Sequence, residues 1–151
     1  MTACFLQEVL NLNELVSGMS YLSELHDMLS ILDKRETLEY VIQIGTDHQR
    51  MPSLQEENLV EGCQSRAWLI IKNRNPLKIK VDADSLVVRG YLHILQESIN
   101  ERNITSAKEM ETYEKELSAF IEKSGLSLTM TPSRTNAFGT FIEEIKRHFQ
   151  K

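Results

Sequence analysis

Residues 65–84 read SRAWLIIKNRNPLKIKVDAD: an apolar run, a turn signal and an alternating run in succession. SRAWLIIK carries no helix cap, and NRNP punctuates the chain after it. In LKIKVDAD, Leu77, Ile79 and Val81 alternate with Lys78, Lys80 and Asp82, the period of a strand with one face on a core and the other in water. These residues predict an antiparallel hairpin. SLVVR, residues 85–89, predicts a third short strand, and Trp68 is expected on the buried side of the sheet.

On both sides of the hairpin the period is helical. Phe5, Leu6, Val9, Leu10 and Val16 predict a short amphipathic helix stopped by Gly18. Leu22, Leu25, Leu29 and Leu32 predict a second, from Ser20 as cap to Leu32. Asp33 and Glu36 have capping-box spacing and open a third, with Leu38, Val41 and Ile42 on one side and an end near Gly45. His48 to Asn58 reads as a polar loop. After the hairpin, helices follow from Gly90 (Leu92, Leu95, Ile99), from a second capping box at Ser106 and Glu109 (Met110, Tyr113, Leu117, Phe120, stopped at Ser124-Gly125), and through Phe138, Phe141, Ile142, Ile145 and Phe149. Lys146, Arg147, His148 and Lys151 crowd the end of the last one, where they suit its dipole. The sum is an α+β domain, helices flanking a small antiparallel sheet of about three strands.

The chain has 151 residues, enough for one domain that buries a core without staples. Hydrophobic residues are 41% and charged residues 26%, which excludes a disordered chain. A net charge of -5 and the absence of a basic stripe with interleaved aromatics speak against a nucleic-acid module. No apolar run is long enough to span a membrane, and the start MTACFLQEVL lacks the basic region of a secretory signal, so the cytoplasm is expected. The two cysteines, Cys4 and Cys63, are expected as free thiols there. They make no zinc motif, and one well-placed cysteine is too few for a cluster scaffold. There is no Gly-rich phosphate loop.

Cys63 stands in VEGCQSRAW, after a glycine, among polar neighbours and just before the first strand. Such junctions are exposed and rigidly backed. The thiolate is the reactive form, and at a reference pKa of about 8.5 only about 3% is thiolate at pH 7. Of His26, His48, His93 and His148, none has a spacing that commits it to Cys63, so a cysteine hydrolase is poorly supported. A thiol that only passes sulfur needs no pinned base.

The chain resembles the SufE family of cysteine desulfuration proteins over about residues 20–150. The resemblance rests on VEGCQSRAW (Gly62, Cys63, Ser65, Trp68), VDADSLVVRGY (Asp82, Asp84, Ser85, Arg89, Gly90) and MTPSRTNAF (Pro132, Ser133, Arg134, Asn136). Ala67 and Ala137 depart from the family's usual valine and glycine. The resemblance implies a fold like that of the U-type cluster scaffolds, with residues 1–19 as a helical extension and 20–151 as the sulfur-acceptor domain. It implies that Cys63 accepts persulfide sulfur from a cysteine desulfurase, stimulating it, and passes the sulfur to an iron–sulfur scaffold or another acceptor. Arg134 is then an anion or interface contact, Asp84 belongs to the adjacent loop, and Glu61, Gln64 and Arg66 rim the docking surface. The pyridoxal phosphate belongs to the desulfurase, and no resident cofactor or metal is implied. A regulator that docks the desulfurase without moving sulfur is the alternative, and a homodimer stays open.

Overall fold

A computed structural model describes residues 20–61 and 65–149, with the backbone alone for Ser20 and residues 132–136. The described chain is α+β. Five α-helices, α1 (Ser20–Leu29), α2 (Lys34–Asp47), α3 (Leu86–Arg102), α4 (Ala107–Lys123) and α5 (Pro132–Phe149), surround one hairpin, β1 (Ala67–Arg74) and β2 (Leu77–Ala83). Short 3-10 turns at Glu56–Asn58 and Leu126–Thr129 complete it. The predicted helix at residues 5–16 lies outside the described residues.

The hairpin pairs antiparallel, with Leu69 opposite Val81 and Trp68 opposite Asp82. Leu77, Ile79, Val81 and Ala83 are at most 1% exposed and form one core with Tyr91, Leu92, Leu95 and Ile99 of α3. That face is the one the alternation selects.

The strand count is two, not about three. SLVVR does not pair. Ser85 caps a helix instead, its Oγ accepting from the Val88 N–H at 3.3 Å, and α3 runs on through Val87 and Val88. The β-branched pair that suggested a strand is outweighed by the cap and by burial of α3 on the sheet. Beyond β1 there is only an isolated bridge, Leu59 to Trp68.

At the outer edge of β2, side chains occupy the place of a third strand. The Asn100 amide donates to the Ile79 carbonyl at 2.9 Å and accepts from the Ile79 N–H at 2.8 Å. Gln96, one turn earlier, accepts from the Val81 N–H at 3.0 Å, and the Leu77 N–H reaches the Ile104 carbonyl at 2.7 Å. Helix α3 thus satisfies an edge that would otherwise be open to strand addition.

Other boundaries shift for identifiable reasons. Helix α1 ends at Leu29 rather than Leu32. The Asp33–Glu36 box is complete, but its helix passes Gly45 and ends at Asp47. Gly45 is a contact, not a stop: a methyl there would collide with the Leu86 carbonyl oxygen, and one at Gly90 with that of Val41. The two helix backbones touch at this pair. The Ser106 cap forms, while Glu109 reaches back to the Thr105 N–H at 2.7 Å rather than to Ser106.

Two readings of the outer sheet face are corrected. Asp82, expected in water, is fully buried, and Trp68, expected on the core side, is buried on the opposite face beside it. The segment after α2 reaches this face, where Met51 is itself buried and its N–H donates to Asp82 at 2.9 Å.

Replacing Asn100 with alanine leaves a partly buried N–H and carbonyl of Ile79 without partners, a loss of about 2 kcal/mol. Urea denaturation of N100A should show it as a lowered midpoint with unchanged slope. An unchanged midpoint would contradict the edge role.

Candidate functional site

The cysteine-bearing turn is anchored on both sides. On one side the Val60 N–H donates to the Ala67 carbonyl at 2.8 Å, closing the chain across residues 61–66. On the other, the Asp84 N–H donates to the Arg66 carbonyl at 2.9 Å and the Ser85 N–H to Ser65 Oγ at 3.1 Å. The turn is therefore pinned both to the Leu59–Val60 stretch and to the junction between β2 and α3. Gly62, Cys63 and Gln64 lie outside the described residues, as does Cys4.

The junction is held by a buried ionic node. The Asp82 carboxylate accepts from Arg50 Nε at 2.7 Å, from the Met51 N–H and from the Ala83 N–H at 2.8 Å. Arg89 Nε lies 3.5 Å from the same carboxylate and donates to the Ala83 carbonyl at 2.9 Å. Its other nitrogens reach the carbonyls of Asp84 at 3.4 Å and Gly45 at 3.5 Å. A buried charge this well surrounded is costly to strip of a partner.

Asp84, one of the expected site residues, is exposed beside Arg66. Its carboxylate has no hydrogen-bond partner among the described residues, so it points to no Asx turn. Arg134 falls in the first turn of α5, and its side chain lies outside the described residues. Of the expected rim, Glu61 and Arg66 are exposed, and Arg66 pairs with Glu56 at 2.7 Å while its guanidinium lies 5.4 Å over the Trp68 ring. Trp68 Nε1 is buried with no hydrogen-bond partner among the described residues. An open groove of about 820 Å³ starts at Glu61 and runs between Glu56, Glu57 and the Glu143, Glu144 and Arg147 side of α5.

Sequence reasoning assigned no role to Arg50 or His48, which it placed in a polar loop. Ser65, Ser85 and Arg89 were legible as motif members but not as anchors. The signal for Arg89 was its place in the first turn of a helix that follows an acidic strand end. Nothing local marks Arg50, which meets Asp82 from 32 residues away.

The buried histidines are committed to one another. His48 Nε2 lies 2.8 Å from the Val81 carbonyl, which only accepts, so that nitrogen carries the proton. His48 Nδ1 then accepts from His93 Nδ1–H at 2.7 Å, and His93 Nε2 faces Glu97 at 3.8 Å. The pair accommodates one added proton, on His93 Nε2, and not two. Burial, and for each ring the nearby Lys80, hold both below the usual imidazole range. His26 lies 3.5 Å from Asp27.

Among the described residues no group of three or more His, Cys, Asp or Glu side chains could hold a metal ion. Nor is any described helix long and apolar enough to cross a membrane. A hairpin that carries a pinned, cysteine-bearing turn, backed by helices, defines a protein associated with iron–sulfur metabolism, for residues 23–149 match the family model described as "SufE: Fe-S metabolism associated domain". The chain belongs to the SufE family.

Because the folded pair resists protons that the unfolded chain takes up near pH 6.5, its stability should be full above that pH and fall as the pH drops below it. Urea denaturation between pH 7.5 and 5.5 (about one unit either side of the reference imidazole value) checks this. The slope should shrink in H93F. An identical slope in wild type and H93F would contradict it.

Proposed function

We propose that this chain accepts sulfur as a persulfide on Cys63 from a pyridoxal-phosphate cysteine desulfurase, stimulates that enzyme, and delivers the sulfur to an iron–sulfur scaffold or another acceptor. The observation that carries the reading is the family match over residues 23–149, which includes the GCQS turn. The anchoring of Ser65, Arg66 and Val60 supports it, since a sulfur relay needs a reachable thiol on a body that does not yield when a partner docks.

In the proposed step the Cys63 thiolate attacks the outer, sulfane sulfur of the desulfurase persulfide. A new sulfur–sulfur bond forms at Cys63, the old one breaks, and the desulfurase cysteine leaves as thiolate. No electrons are gained or lost overall, and any proton on the sulfane sulfur travels with it or exchanges with solvent. The two sides are chemically similar, so local environment sets the direction. Arg134 stabilises the thiolate or persulfide anion or clasps a carboxylate of the desulfurase. Asp84 stands beside the turn and shapes the same contact. The chain breaks no carbon–sulfur bond itself, so it acts as an accessory carrier.

Alanine release from cysteine by a matched desulfurase tests the proposal. Wild-type protein should raise turnover and C63S should not. R134A should lower the stimulated rate about tenfold, about 1.4 kcal/mol, without lowering thermal stability. Stimulation that survives in C63S would instead favour a docking regulator that carries no sulfur.

A further inference from the structure

An apolar groove of about 410 Å³ lies between the first turns of α1 and the last turns of α4, far along the chain from the sulfur turn. Leu22 and Phe120 form its floor with Ala119, and Ser23, His26 and Lys123 stand along its sides, with Arg102 at one end. Phe120 is 6% exposed and belongs to the core, while Ala119 is exposed, so the groove opens an apolar path from the surface to the core. Arg102 is paired with Glu116, but Lys123 has no ion-pair partner among the described residues.

We infer that residues 1–19 of this same chain occupy the groove as a helix folded back along α1. Three observations point to this occupant rather than to another. The segment joins α1 at Ser20, two residues before Leu22, so it reaches the groove without a linker. Phe5, Leu6, Val9, Leu10 and Val16 recur at three-to-four spacing, and Ser17, Gly18 and Met19 supply a connection of the length that joins antiparallel helices. The charge is complementary: the segment carries Glu8 and Glu14 and no Lys or Arg, whereas the groove presents Lys123, Arg102 and His26. A helix of about twelve residues is marginal alone in water, and burial of its apolar stripe is what would stabilise it. The inference stands apart from the sulfur-transfer proposal.

The test uses the full chain. With Cys4 and Cys63 replaced by serine, a nitroxide is attached at Asn13→Cys and the amide spectrum of 15N-labelled protein is read. The amides of Ser23, His26, Ala119 and Lys123 should lose most of their intensity, and adding Ala119→Arg, a substitution at an exposed position, should restore it. Full intensity at these amides in the spin-labelled chain would overturn the inference. So would loss of intensity in a mixture of spin-labelled unenriched protein with unlabelled 15N protein, which would assign the groove to a second copy.

Discussion

The buried carboxylate of Asp82 is the constraint on which the rest of the arrangement depends. It sits on the face of β2 that faces away from the helices, with no solvent exposure. An ion placed there is tolerated only if nearly every lone pair is met. The chain meets them from three directions: Arg50 and the Met51 N–H from the segment after α2, the Ala83 N–H from its own strand, and Arg89 from the start of α3. One charge thereby joins elements that are distant in sequence, at the junction from which Asp84 and Ser85 reach back to hold Arg66 and Ser65.

The small sheet follows the same logic of local sufficiency. Two strands alone leave two open edges. On one side Leu59 and Val60 form a brief pairing that leads directly into the cysteine-bearing turn. On the other, Gln96, Asn100 and His48 supply side-chain partners to the β2 backbone. The helix layer is therefore both the floor of the core and the closure of the sheet. The result is a rigid plate whose free margin is the turn.

Much of this was legible in the sequence. The alternation of Leu77, Ile79 and Val81 located the core face of the hairpin, and the spacing of Asp33 and Glu36 located a helix start to the residue. The readings that failed share a cause. Val87 and Val88 look like strand residues locally, but a capping serine and the packing of α3 decide otherwise. Asp82 and Trp68 alternate correctly, yet alternation says only that they share a face, not that a segment far back in the chain will cover it. Gly45 resembles a helix stop because sequence alone does not show that Gly90 will come against it. The site was legible as a motif around Cys63 and Asp84, while its anchors at Arg50 and Arg89 emerged only from three-dimensional packing.

The most direct test of the central claim is the location of transferred sulfur. A desulfurase loaded with 35S from labelled cysteine is mixed with this protein for a single turnover, free thiols and persulfides are trapped, and the label is assigned by peptide mapping. The account predicts label on the peptide that contains Cys63, released by a thiol reductant. Label confined to the desulfurase, or carried by Cys4 instead, would contradict it.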